Sequence, residues 1–191
     1  QPVPEGIPAR SVPAYLSGAS LLLTGGALVT QRHARGGAAF ICAFLISWVL
    51  VLQLPVVVAG HEAAWLAPAE TLAVSAGAWT YYWLGASGSA RRTSAIHAAC
   101  AFFGVTLLVF GLAHVLYIGF TAAMIPVWIP WRVPWAWITG AGHIAAGLSI
   151  ITGIQARLGA KMAALMMSGF VLFAHIPRIL ADGDNIAEWR L

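Results

Sequence analysis

The chain has 191 residues, of which 60% are hydrophobic and 8% are charged. Soluble globular proteins carry about 25% charged residues, so this composition excludes an ordinary soluble domain. The formal net charge of +4 comes from basic residues in short segments between long apolar stretches. That distribution is typical of membrane topology signals. It predicts the lipid bilayer as a partner and predicts no nucleic-acid partner.

Six apolar segments follow one another along the chain, and each approaches the roughly 20 residues that cross a hydrocarbon core. They predict an all-α fold, a polytopic membrane helical bundle with six transmembrane helices. The predicted helices cover about 13–30, 37–59, 69–86, 94–118, 134–154 and 159–181. Cys42 and Cys100 fall inside these segments, where packing is a better explanation than a disulfide.

Basic residues fall in every second loop of this arrangement. The loops after the first, third and fifth helices hold Arg32, Arg35, Arg91, Arg92, Arg157 and Lys161. The positive-inside rule makes these loops cytoplasmic, so both termini are predicted to lie outside. The polar, Pro-rich start at Gln1 then predicts a cleaved signal peptide or a removed upstream segment, and a truncated chain is the alternative.

The segment 124–135 interrupts the helical pattern between the fourth and fifth helices. It contains Pro126, Pro130 and Pro134 together with several tryptophans. Proline lacks a main-chain donor and clashes with the preceding helical turn, so a regular helix is not expected here. Tryptophan prefers the headgroup level of a bilayer. The sequence therefore predicts a Pro/Trp-rich outer cap segment.

An internal repeat relates the first two helices to the last two at an offset of 122 residues. The matching residues are Gly18, Gly25, Thr30, Arg35, Gly37 and Pro55 with Gly140, Gly147, Thr152, Arg157, Gly159 and Pro177. The two halves run in the same inferred direction, as in a parallel repeat. We therefore divide the chain into an N-terminal two-helix half-repeat, 1–68, and a four-helix unit, 69–191.

Polar side chains on the last three helices form the candidate site, because ionisable groups inside a membrane span are costly and indicate function. The predicted cofactor-binding residues are His114, Tyr117, Arg132, His143, His175 and Arg178. All three histidines are inferred to lie in the outer half of the membrane. Each alone is also explained by a hydrogen bond to a neighbouring helix. The small residues Gly140, Gly142, Ala146 and Gly147 predict a close helix crossing at His143.

Three kinds of ligand fit this set at the level of sequence. Histidine, tyrosine and arginine donors on an aromatic wall suit a quinone. Three neutral imidazoles, from His114, His143 and His175, suit copper or zinc. Two facing imidazoles suit haem. The residues alone do not choose between these ligands.

The run 95–180 resembles the DoxX-like family of small membrane proteins. The resemblance rests on the segments 110–114, 125–130, 139–147 and 175–178 and on Tyr117. It implies a four-helix unit in a bacterial cytoplasmic membrane. It also implies a subunit associated with quinone-linked or other redox complexes, with protein partners on the outer side.

These observations lead to one functional hypothesis and two alternatives. The first is a redox-associated membrane subunit that binds a quinone or another cofactor in the outer leaflet. The alternatives are a non-catalytic anchor or assembly subunit and a small transporter. The sequence contains no P-loop, GxGxxG, HExxH or CxxC signature. Motifs of this kind therefore do not decide whether the protein is an enzyme.

Overall fold

The computed structural model describes residues 11–61, 63–88 and 90–181, and within these ranges the protein is helical without β-strands. This confirms the all-α prediction, and each predicted helix is matched by one long helix or by two helices in direct succession. The helices are α1 Ser11–Val29, α2 Ala34–Trp48, α3 Leu54–Val58, α4 Leu66–Leu84, α5 Ala90–Leu116, α6 Ile118–Met124, α7 Arg132–Thr152, α8 Ala156–Phe170 and α9 Ile176–Ala181.

Two of the long helices contain a π-helical turn. Val49–Gln53 joins α2 to α3, and Val171–His175 joins α8 to α9. Pro55 and Pro177 follow these turns closely. Proline removes a main-chain donor and clashes with the carbonyl four residues earlier. Widening the helix locally relieves that clash, so both helices continue past the proline.

Within the described ranges, three segments are long and apolar enough to cross a membrane: Ala34–Val58, Ala90–Leu116 and Ala156–His175. By helix length and mean hydropathy, the prediction of six transmembrane helices is corrected to three candidate spans. Helices α4 and α7 have 19 and 21 residues, but their glycine, threonine, tryptophan and tyrosine content lowers their mean hydropathy. In α1 the described side chains form the apolar stretch Tyr15–Val29.

The described residues form two compact units, which divide between Phe103 and Gly104. Within the first unit α2 packs against both α1 and α4, and within the second α7 packs against α6 and α8. Helix α5 begins in the first unit and ends in the second. The predicted division between residues 68 and 69 rests on the sequence repeat, whereas the division into compact units rests on contacts between residues. The predicted division therefore stays a prediction.

The two units share local structure at the predicted offset of 122. Helices α2 and α8 both have 15 residues. The residue before each, His33 and Gln155, has a left-handed backbone with a φ of 55°. Just inside each helix a glycine lies close to the preceding helix of its unit. A Cβ at Gly37 would lie 3.4 Å from the carbonyl oxygen of Thr24, and one at Gly159 would lie 3.2 Å from that of Ala146.

The Pro/Trp-rich segment is only partly irregular. Residues 125–131 are non-helical, as predicted, but α7 already begins at Arg132. The prediction of a non-helical segment over 124–135 is therefore wrong at Met124, which ends α6, and at 132–135. Pro134 lies in the first turn of α7, where a helix needs no donor from it. The short helix α6 precedes the segment and was not predicted.

Candidate functional site

Glycines bring α5 and α7 into close contact within the second unit. Gly104 and Gly111 on α5 face Gly147 and Gly140 on α7. A Cβ at Gly147 would lie 2.6 Å from the carbonyl oxygen of Gly104, and one at Gly111 would lie 2.9 Å from that of Gly140. Backbone atoms cannot move aside as a side chain can, so only glycine permits this crossing. The predicted close approach at His143 is confirmed.

This crossing places two histidines side by side. The ring centroids of His114 on α5 and His143 on α7 are 5.0 Å apart, with planes inclined by 54°. A Cβ at Gly140 would lie 2.8 Å from Cβ of His114, so this glycine makes room for the histidine. His143 is only 1% exposed. Two of the three predicted histidines therefore form one buried pair.

Phenylalanines enclose the pair from two helices. Phe110 on α5 meets His143 edge-on, with ring centroids 5.6 Å apart. Phe170, at the end of α8, lies 5.9 Å from His143 and 6.4 Å from His114, and it is nearly parallel to the latter ring. We call Phe110, His114, His143 and Phe170 the histidine site.

The two imidazoles differ in hydrogen bonding. Nδ1 of His114 lies 2.8 Å from the carbonyl oxygen of Phe110. A carbonyl only accepts, so Nδ1 carries the proton and a neutral His114 keeps Nε2 as an acceptor. Nδ1 of His143 is buried and has no hydrogen-bond partner among the described residues. An unpaired buried polar atom costs about 1–3 kcal/mol, which makes this atom a candidate ligand contact.

The structure does not bring the other predicted residues into this pair. His175 ends the second π-helical turn and is half-buried. Tyr117 is the residue between α5 and α6, and its backbone N–H donates to the carbonyl of Ala113. Arg132 is exposed at the start of α7, about 16 Å along the helix from His143 at 1.5 Å per residue. Arg178 belongs to α9, but its side chain lies outside the described residues.

The geometry bears on the metal and haem interpretations. Within the described ranges, no group of three or more His, Cys, Asp and Glu side chains is placed to hold a metal ion. The set of His114, His143 and His175 does not form there, because Phe170 takes the position on α8 that faces the pair. Metal–imidazole bonds of about 2 Å would put two axial rings roughly 6 Å apart on opposite sides of a haem. The observed 5.0 Å separation of tilted rings does not fit that arrangement.

Sequence reasoning missed several residues that the site depends on. Phe110 precedes His114 by one helical turn, a spacing that predicts contact, whereas nothing local to Phe170 or Gly104 identifies their partners. In the first unit, Gln53 occupies the repeat position of His175 and is buried. Its Nε2 donates to Thr71 Oγ1 at 2.9 Å, and its Oε1 has no partner among the described residues.

Comparison with known proteins gives no family for this chain, since no family model, curated protein or solved structure matches it. The DoxX-like resemblance stays a prediction from the residues.

Proposed function

We propose that the protein is a DoxX-like integral membrane subunit of a redox complex and that it binds a quinone head group at the histidine site. The observation that carries the proposal is the buried, unpartnered Nδ1 of His143 beside a second imidazole. Buried polar atoms in proteins nearly always have a partner. A bound ligand supplies that partner.

The three apolar segments support placement in a membrane, as do the apolar side chains exposed along them, such as Leu50, Val51 and Leu165. Helices α1, α4 and α7 each pack against one of the two segments that contain α2 and α8. We infer that they cross the bilayer beside these segments, because basic turns on one side before α2, α5 and α8 require a return crossing between them. The basic loops favour a cytoplasmic position for the turns that precede α2, α5 and α8. We infer a bacterial cytoplasmic membrane, with both termini and the histidine site toward the outside.

The hydrogen-bonding capacity of the two imidazoles matches a quinone. His143 in the tautomer protonated at Nδ1 offers a donor to a quinone carbonyl. His114, whose Nδ1 proton is already directed to Phe110, offers Nε2 as an acceptor for a quinol hydroxyl. The phenylalanine rings supply the apolar, aromatic wall typical of small-molecule sites. The site thus holds one group suited to each oxidation state of the ligand.

The alternative is a non-catalytic anchor in which the histidines only pack the helices. The ring separations of 5.0–6.4 Å within the histidine site favour it, because such aromatic contacts stabilise helix packing without a ligand. The two functions differ in what His143 does. A structural histidine is replaceable by another planar ring, and a ligand-binding one is not.

The test is titration of the detergent-purified protein with a short-chain quinone such as decyl-ubiquinone, followed by quenching of tryptophan fluorescence. His143→Phe keeps a planar ring and removes Nδ1, and we expect roughly tenfold weaker binding from the loss of one buried hydrogen bond. His97→Phe is the control, since His97 is an exposed histidine of α5 that lies outside the histidine site. His175→Leu should also bind the quinone within about twofold of the wild type.

Each outcome decides between the functions. Unchanged binding in His143→Phe contradicts a quinone site at this histidine. Absence of binding by the folded wild type favours the anchor. Membrane placement is tested separately by alkaline carbonate extraction of membranes, after which an integral protein stays in the pellet, and release into the supernatant contradicts the proposal.

A further inference from the structure

A polar cleft lies in the first unit where the start of α2 meets the end of α4. Its volume is about 650 Å³, and Gln31, His33, Arg35, Tyr81 and Gly85 contribute to its lining. This volume falls in the range of about 300–1,000 Å³ that is usual for small-molecule sites. The cleft is separate from the histidine site, which belongs to the second unit.

The polar groups of the cleft are held in place by aromatic residues of α4. The guanidinium carbon of Arg35 lies 4.6 Å from the centroid of the Tyr82 ring, a cation–π distance. The hydroxyl of Tyr81 donates to Oε1 of Gln31 at 2.6 Å. The lining contains no acidic side chain among the described residues. An exposed arginine that an aromatic ring orients, and that has no carboxylate partner in the part of the chain that the structure describes, favours an anion.

An apolar groove of about 250 Å³ runs between the same two helices next to the cleft. It is lined by Ala39, Cys42, Ala43 and Ile46 on α2 and by Trp79 and Tyr82 on α4. Arg35, Ala39, Cys42 and Ile46 are spaced by three or four residues and share one helix face. Tyr82 both lines the groove and lies under Arg35. The cleft and the groove share no lining residue, but the contact between Arg35 of the cleft and Tyr82 of the groove makes them neighbours on the same pair of helices.

We propose that the cleft and groove together bind one anionic phospholipid. The phosphate would lie at Arg35, where a guanidinium suits phosphate oxygens, and one acyl chain would follow the groove along α2. This inference rests on the membrane placement proposed above. The segment Ala34–Val58 is apolar enough to span a bilayer, so its arginine-bearing end belongs at the headgroup level and its groove in the hydrocarbon.

The repeat provides a matched control. Arg157 stands 122 residues after Arg35, near the start of α8, and is likewise exposed. In the described structure Arg35 lies over an aromatic ring, whereas Arg157 has no such contact. If anionic lipid is attracted to basic loops in general, Arg35 and Arg157 should contribute equally to lipid binding. If the lipid occupies the cleft and groove, only Arg35 should contribute.

The experiment is native mass spectrometry of the full chain in neutral detergent, titrated with phosphatidylglycerol or with phosphatidylcholine of the same chain length. We expect one phosphatidylglycerol to bind several-fold more tightly than phosphatidylcholine. Arg35→Gln should weaken phosphatidylglycerol binding about fivefold, in line with the contribution of one arginine at a membrane surface. Arg157→Gln should change it less than twofold. Ala43→Trp should fill the groove and weaken binding of both lipids.

Several results would overturn the proposal. Equal losses in Arg35→Gln and Arg157→Gln would mean diffuse electrostatic attraction, and equal affinity for the two lipids would remove the headgroup site. Full displacement of the lipid by millimolar glycerol phosphate would show a site for a free phosphate compound.

Circular dichroism checks folding, and Arg35→Lys, which keeps the charge, should bind better than Arg35→Gln. His143→Phe should retain lipid binding, so failure here is distinguishable from failure at the histidine site.

Discussion

His114 and His143 meet because Gly140 leaves room on α7 for the side chain of His114. The sequence places the histidines at a similar inferred depth in the membrane on successive helices, and this correctly indicated that His114 and His143 could meet. It also grouped His175 with them, because depth says nothing about which face of a helix a residue occupies. The position of Phe170 opposite the pair depends on the rotation of α8 about its axis. That rotation is set by packing against α7, which no local pattern encodes.

The unpartnered Nδ1 of His143 gives a prediction about stability. Without ligand it costs the folded state free energy, so His143→Phe should stabilise the protein by about 1 kcal/mol. For a chain of this size the thermal midpoint should rise by roughly 2–4 °C. The measurement is thermal unfolding by circular dichroism in detergent, with quinone removed and with His97→Phe as control. A lower midpoint in His143→Phe would show that the imidazole is already satisfied, and the reason for invoking a ligand would be lost.

At the scale of helices, the sequence predicted the small-residue face of α7 but not its partner. Gly140 and Gly147 are spaced for a close crossing, and glycines on several helices were available to meet them. Gly104 and Gly111 match because they too are seven residues apart. The prolines likewise predicted a disturbance in two helices. The prolines alone do not decide between a π-helical turn and a helix end, because both relieve the same clash.

The crossing predicts different outcomes for two glycines of α7. In Gly147→Ala the new methyl would meet the Gly104 carbonyl at 2.6 Å, and the helices must separate. We expect a destabilisation of about 1–3 kcal/mol and weaker quinone binding as His114 moves away from His143. In Gly142→Ala the new methyl meets only the side chain of Met166, with the sulfur at 3.3 Å, and methionine adapts readily.

Thermal unfolding and quinone titration of the two alanine variants provide the comparison. Gly142→Ala should keep wild-type binding and a similar midpoint, because alanine also favours the helical backbone over glycine. Equal damage in both variants would show that α7 tolerates no added methyl on either side. The assignment of the α5–α7 crossing as the element that positions the histidines would then fail.

At the scale of the whole molecule, the helices were predictable while the number of spans was not. Apolar runs separated by charged loops located all six long helices to within a few residues. Hydropathy then separates Ala34–Val58, Ala90–Leu116 and Ala156–His175 from the rest. Helices that pack against a span do not need to be equally apolar. A count of apolar segments consequently overestimates the helices that can cross a bilayer independently.

The arrangement of charged loops makes a prediction about topology that centres on α5. This helix has 27 residues and a length of about 40 Å at 1.5 Å per residue, which exceeds the hydrocarbon core of about 30 Å. Gly88, just before α5, and Val127, after α6, should therefore lie on opposite sides of the membrane. Arg91 and Arg92 predict a cytoplasmic position for the Gly88 end.

Single cysteines at these two positions, in a variant with Cys42 and Cys100 replaced by alanine, test this with a membrane-impermeant maleimide on intact cells. Val127→Cys should be labelled directly, since Val127 is 85% exposed, and Gly88→Cys only after permeabilisation. The reverse pattern would move the histidine site to the cytoplasmic side and exclude an outer partner for it. Labelling of both cysteines in intact cells would mean that α5 does not cross the bilayer. The membrane placement on which the quinone and lipid proposals depend would then need another span to support it.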